Sequence, residues 1–152
     1  MPSKSDEPPQ PSRSLSRLLD DLLRRAGVGK SSTIRITGPA GLAALLWFCR
    51  HGYDQVGYVR GGPGPAEDGD LVLAPQTCDL AGLEVLLRRG PRPRQGGVLI
   101  VQTPEPAPDD AVDPVHELFE RNGYRVERCL HGHHRELHVA RRTAPVRQSK
   151  AA

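Results

Sequence analysis

The sequence predicts one doubly wound α/β domain, three layers deep (α-β-α), on a mostly parallel sheet that ends in an antiparallel hairpin. Three observations predict it. The β-branched run Thr33-Ile34-Arg35-Ile36-Thr37 passes through Gly38-Pro39-Ala40-Gly41 straight into the apolar segment Leu42-Ala43-Ala44-Leu45-Leu46-Trp47, the strand-turn-helix that opens the nucleotide-facing corner of such domains. Two near-continuous apolar runs, Leu71-Val72-Leu73-Ala74 and Val98-Leu99-Ile100-Val101, read as central parallel strands covered on both faces. The chain then closes on two strands, 124–130 and 136–140, joined by His131-Gly132-His133-His134.

Taken in order, residues 1–13 are rich in Pro, Ser and charge and have little to bury, so a disordered tail is expected. Ser14 then caps a helix whose Leu15, Leu18, Leu19, Leu22, Leu23 and Ala26 share one face, with Arg24 and Arg25 in the last turn and Gly27 as the stop. Gly27-Val28-Gly29-Lys30-Ser31-Ser32 imitates the end of a phosphate loop. However, Arg24 stands where the first glycine of that motif belongs, and helix precedes strand instead of following it. Strand one covers 33–37, its helix runs from about 41 to 51 with Gly52 beyond, and strand two covers 55–59. Residues 60–69 are Gly/Pro-rich loop.

Strand 70–75 ends at Pro75, and Asp79 caps a helix that turns Leu80, Leu83, Leu86 and Leu87 inward. Gly96 to Gln102 is the next strand. Asp113 and Pro114 start a helix that Gly123 stops. The domain is therefore expected over 14–142, followed by a basic disordered tail over 143–152.

Composition narrows the function classes. The 152 residues carry a net charge of +3, but residues 141–152 hold Arg141, Arg142, Arg147 and Lys150 and no acid, so +3 less +4 leaves −1 for the rest. A second basic cluster, Arg88, Arg89, Arg92 and Arg94, surrounds a helix end, where cations suit the exposed carbonyls. Cys49, Cys78 and Cys129 are odd in number and lack a C-x-x-C spacing, which argues against a disulfide framework and a zinc ribbon and for reduced core residues. No apolar run approaches the roughly 18 residues of a membrane helix, and Met1 to Arg13 does not resemble a signal peptide. A soluble, cytoplasmic protein is expected.

Over about residues 33–142 the order of pieces resembles the class I S-adenosylmethionine-dependent methyltransferase fold, a Rossmann-like domain. The resemblance rests on the Gly38 to Gly41 turn, on Asp70-Leu71-Val72-Leu73-Ala74-Pro75 with its helix and the Gly96-Gly97-Val98-Leu99-Ile100-Val101 strand, and on Leu118-Phe119-Glu120-Arg121-Asn122-Gly123-Tyr124-Arg125-Val126-Glu127 with its closing antiparallel strand. It implies S-adenosylmethionine as cofactor if the chain is catalytic, with Gly38, Pro39, Ala40, Gly41, Arg60 and Pro75 lining the pocket. The departures fall on that pocket. The family's third strand is missing, which leaves strand two as the sheet edge. In the family's G-x-G-x-G, Ala40 and Leu42 stand for the second and third glycines and Pro39 offers no N–H. Val59-Arg60 stands where the family has an acid for the ribose hydroxyls, and arginine has no acceptor.

These departures imply a degenerate, non-catalytic domain, a pseudoenzyme without cofactor that binds a protein partner, a second copy along the strand-two edge, or a small regulatory ligand. A small S-adenosylmethionine-dependent methyltransferase is the alternative. A module held weakly on nucleic acid by its Arg141 to Lys150 tail is a further one. No catalytic residue is assigned: Gln76-Thr77-Cys78 contains no evident base, and Cys78 has no identifiable activating partner. His131, His133, His134 and His138 with Cys129 could form a soft metal set across the hairpin. They are read as a solvated turn, and no metal is expected.

Overall fold

The computed structural model describes residues 11–59, 69–105 and 113–143. Among the described residues, four helices and six strands follow one another as α1 (Pro11–Arg25), β1 (Thr33–Ile36), α2 (Gly41–Arg50), β2 (Gln55–Tyr58), β3 (Gly69–Thr77), α3 (Leu80–Arg89), β4 (Pro93–Pro104), α4 (Pro114–Arg121), β5 (Tyr124–His131) and β6 (Arg135–Arg142). The strands form one sheet in the order β2-β1-β3-β4-β6-β5. β1 is parallel to β2 and β3, and β3 is parallel to β4; β6 runs antiparallel to both β4 and β5. This is the mostly parallel sheet with a reversed hairpin that the residue pattern predicts. No strand lies outside β2 among the described residues, so β2 is the edge.

Alternation along the central strands produces the two covered faces. Leu71, Leu73, Val98 and Ile100 point to one side, with Ile34, Ile36 and Val139, and are buried there by Leu22 and Leu23 of α1 and Phe48 of α2. Val72, Leu99, Val101 and Ala140 point to the other and meet Leu83 and Leu87 of α3 and Val115, Leu118 and Phe119 of α4. Each fully buried aliphatic side chain contributes about 1.5 to 3 kcal/mol, so these two clusters fix the strand order. The caps hold as expected: Asp79 accepts from the Gly82 amide at 2.7 Å, and Asp113 accepts from the Val115 amide at 3.0 Å.

Several boundaries and placements differ from expectation. α1 already includes Pro11, the first described residue, and so extends ahead of the expected Ser14 cap. β3 continues past Pro75 to Thr77 through a register shift between Ala74 and Thr77, an irregularity that tolerates a residue without an N–H. Leu80 is 46% exposed, so the inward face of α3 is carried by Leu83 and Leu87. None of the three cysteines is a core residue: Cys49 is exposed and the other two are half-buried.

The basic clusters are also distributed differently. Arg141 and Arg142 belong to β6, not to a tail. The Arg141 guanidinium is tied to the Glu127 carboxylate, to the Gly96 carbonyl at 2.7 Å and to the Ala26 carbonyl at 3.0 Å. Arg94 pairs with Asp70 at 2.6 Å, and Arg92 donates to the Leu87 carbonyl at 3.0 Å. The loop at 60–68 and the segments 1–10 and 144–152, about which the sequence makes its disorder and linker expectations, lie outside the described residues.

Candidate functional site

The carboxyl ends of the parallel strands carry two neighbouring features, a glycine turn after β1 and a cleft after β3 and β4. At the turn, Gly38 adopts φ +99°, a conformation other residues rarely take. Its carbonyl accepts from the Gly41 amide at 3.2 Å as α2 begins. The surface of this turn is covered by a side chain of the protein itself. Tyr58, the last residue of β2 and in register with Ile36, donates its hydroxyl to the Gly38 carbonyl at 2.9 Å. Its ring lies on Gly41 so closely that a Cβ there would overlap ring atoms Cδ2 and Cε2. Any larger residue at 41 would have to displace the Tyr58 ring.

Beyond Tyr58, the Val59 amide donates to the Ile36 carbonyl at 2.8 Å and extends the ladder. Of the two residues, Val59-Arg60, where the resemblance calls for a ribose-binding acid, the first is an aliphatic residue bound to its neighbour strand. Arg60 lies outside the described residues. Lys30, the lysine of the phosphate-loop imitation, is engaged elsewhere: its ammonium donates to the His51 carbonyl at 2.7 Å and sits 4.1 Å from the Tyr53 ring centre.

The cleft has a volume of about 590 Å³ and is lined by Pro75, Gln76 and Thr77 of β3, Pro104 of β4, and His133, His134 and Arg135 of the hairpin. Of the described members of the expected cofactor set, Pro75 lines this cleft, whereas Gly38, Pro39, Ala40 and Gly41 do not. Cys78, just past β3, has its thiol pKa raised by burial and by Asp79. Its thiol contacts the Gln76 carbonyl at 3.6 Å. That environment suppresses the thiolate a nucleophile needs.

The hairpin histidines separate into two kinds. His131 and His134 are exposed, whereas His138 is completely buried. One ring nitrogen of His138, Nε2, meets the Thr103 hydroxyl at 2.8 Å, and the other, Nδ1, is buried with no partner. Burial lowers the His138 pKa, partly countered by Glu136. Cys129 faces His138 across the β5-β6 ladder, and its thiol is pushed up to about 11 by burial and the Glu136 carboxylate. His116 on α4 packs its ring 6.0 Å from that of His138. Sequence reasoning placed Cys129 and His138 together but missed His116, which reaches them from another element, and Tyr58, whose signal was an aromatic ending a strand beside a turn glycine.

Comparison with solved structures places the fold. The chain superposes on the ribosomal protein L11 methylase of Lactobacillus delbrueckii subsp. bulgaricus with a TM-score of 0.59 at 12% identity, covering 87% of this chain and 79% of that one. It superposes on P. horikoshii TYW2, solved in complex with MeSAdo, with a TM-score of 0.54 at 14% identity over 81% of this chain and 61% of that one. A SAM dependent methyltransferase from Aquifex aeolicus gives 0.53 at 14% identity, over 88% and 94% of the two chains. No family model matches the sequence, and no curated protein matches it. The fold is that of a class I methyltransferase: a Rossmann-like sheet, mostly parallel, with a reversed C-terminal hairpin.

Proposed function

We propose that this chain is a methyltransferase-fold domain that acts by binding a partner and transfers no methyl group. The observation that carries this reading is Tyr58, whose hydroxyl and ring lie against Gly38 and Gly41, in the turn that the resemblance assigns to the cofactor. The absence of an acid at Val59 supports it, because a ribose loses a charge-assisted acceptor worth about 1.5 to 3 kcal/mol, roughly one to two orders of magnitude in affinity. The partner surface is the open β2 edge. Tyr58 (45% exposed) is on that strand, and α2 offers exposed Leu42 and Leu46, one helical turn apart.

A small S-adenosylmethionine-dependent methyltransferase is the second reading, and the described neighbours, all named as methylases or methyltransferases or solved with a cofactor analogue, favour it. The cleft over Pro75, Gln76 and Thr77 supports it as well, since ligands of open α/β sheets bind beyond the carboxyl ends of the strands. Calorimetric titration of the purified chain with S-adenosylmethionine separates the two. No saturation in the micromolar range is expected; micromolar binding with methyl transfer to any acceptor would install the second reading.

A further inference from the structure

We propose that His116, Cys129 and His138 form a binding site for a divalent, zinc-class metal ion that joins α4 to the β5-β6 hairpin. Ligating atoms of the three side chains already lie within 4.8 Å of one another. Bonds of about 2.0 to 2.3 Å from zinc to nitrogen and sulfur put tetrahedral ligands roughly 3.5 Å apart, so the set has to contract by roughly an ångström. His116 has the room for that movement, as its side chain is 45% exposed on α4.

The independent sign of a missing ligand is the Nδ1 atom of His138. A histidine with no exposed surface has one ring nitrogen satisfied by Thr103 and the other buried without a hydrogen-bond partner. Buried nitrogens are seldom left this way. With Nε2–H donated to the Thr103 hydroxyl, the lone pair is on Nδ1, the form of imidazole that binds metal. Asp113 stands 3.5 Å from Nε2 of His116 and can accept its N–H in the same manner. Both histidines thus have an orienting neighbour on the nitrogen that a metal would not use.

Charge and ligand type agree. The Glu136 carboxylate is buried 3.6 Å from the Cys129 sulfur. A thiolate formed beside it without a cation would bury two negative charges together, and a dication offsets both. Binding deprotonates Cys129, with the proton released to solvent as the sulfur–metal bond forms. Two imidazoles and a thiolate suit zinc, copper or cobalt and not magnesium or calcium. The overlapping group Cys129, His131 and Glu136 is a weaker claim on an ion. His131 and Glu136 already satisfy one another at 2.9 Å, and His131 is 75% exposed.

The test is titration of the full, chelator-treated chain with Co(II), then with Zn(II) followed by thermal melting. One equivalent of Co(II) should produce a thiolate-to-cobalt charge-transfer band, and Zn(II) should raise Tm. Cys129→Ser should remove the band and the Tm rise. His116→Gln, on a half-exposed position that leaves the core untouched, should weaken binding at least tenfold even if His138 variants fail to fold. His131→Ala should bind as the wild type does. Absence of both band and Tm shift in the wild type overturns the site. So does a band that follows Cys49, Cys78 or His131 instead of Cys129 and His116.

Discussion

The two ends of the sheet treat polar chemistry in opposite ways. At the β1-β2 end the sequence advertises a cofactor corner, and the structure shows a turn covered by Tyr58, whose polar contact there is internal. At the β5-β6 end the sequence advertises a solvated turn, and the structure shows His138, Glu136 and Cys129 held between α4 and the strands, with one ring nitrogen unmatched. A motif's glycines describe how backbone turns; an unmet valence in the interior describes what the backbone is turned around. The difference also predicts where substitutions hurt. Groups at the hairpin end are built into the core, and Tyr58 is laid on the surface.

The largest effect should come from the hairpin end. Phe119 is fully buried on α4, with its ring 6.1 Å from Tyr124 and 5.8 Å from His138. Phe119→Ala should cost about 3 to 5 kcal/mol, read from urea unfolding, and should release α4 from the hairpin. A cost below about 1 kcal/mol would mean that this end is no more integral than the other. Next is Arg141, the residue that the charge pattern assigns to a basic tail. Its guanidinium bridges Glu127, Gly96 and Ala26, so Arg141→Ala should lose about 2 kcal/mol, within the range for bonds to charged groups. If instead stability is unchanged and weak DNA binding disappears, the tail reading regains its footing.

What was legible follows from the range of each interaction. Alternation and apolar runs are local, and they located the six strands and the four helices among the described residues. Caps such as Asp79 and Asp113 were legible for the same reason. Arg141 was not, because its carbonyl partners lie 45 and 115 residues away. Cys129 and His138 could be paired by hairpin register alone. His116 could not, because only the packing of α4 brings it there. At the glycine turn, the spacing of residues 38–41 was visible but the side chain that would cover them was not.

Asp70 lies between the two ends and should show a middling effect with a distinct pH signature. Its carboxylate accepts from the Thr33 amide at 2.8 Å and pairs with Arg94, so it joins β3 to both neighbouring strands. The Arg94 hydrogen bond, then the Thr33 amide, lowers its pKa. A carboxyl with a folded pKa below its unfolded value contributes stability above the unfolded value, about 3.9. That contribution fades as pH falls further, through the lower folded value. Asp70→Asn should therefore cost about 1 kcal/mol at neutral pH, a bonded-charge value reduced for the partly exposed Arg94. The gap between variant and wild type should close in acid. A gap independent of pH between 6 and 2 would assign the loss to packing instead of charge.

The smallest effect on stability, and the most informative about function, belongs to Tyr58. Removing its ring gives up one hydrogen bond and a contact that is 45% exposed, so Tyr58→Ala should cost about 0.5 to 1 kcal/mol. It opens the face of the turn at Gly41, where Tyr58 ring atoms and then the Ile36 methyl stand nearest to a Cβ position. If Tyr58 is what keeps a cofactor from the turn, the variant should bind S-adenosylmethionine more tightly than the wild type while remaining weak for want of an acid. Adding Val59→Asp to Tyr58→Ala should strengthen binding again by up to the one to two orders of magnitude assigned above to a charge-assisted acceptor. Equal, tight binding by wild type and variant would show that Tyr58 moves aside without cost, and the glycine end would then be a working cofactor site. Equal absence of binding in all three would place the obstruction in the turn itself, at Pro39 and Ala40, and leave the partner surface at the β2 edge as the function of this end.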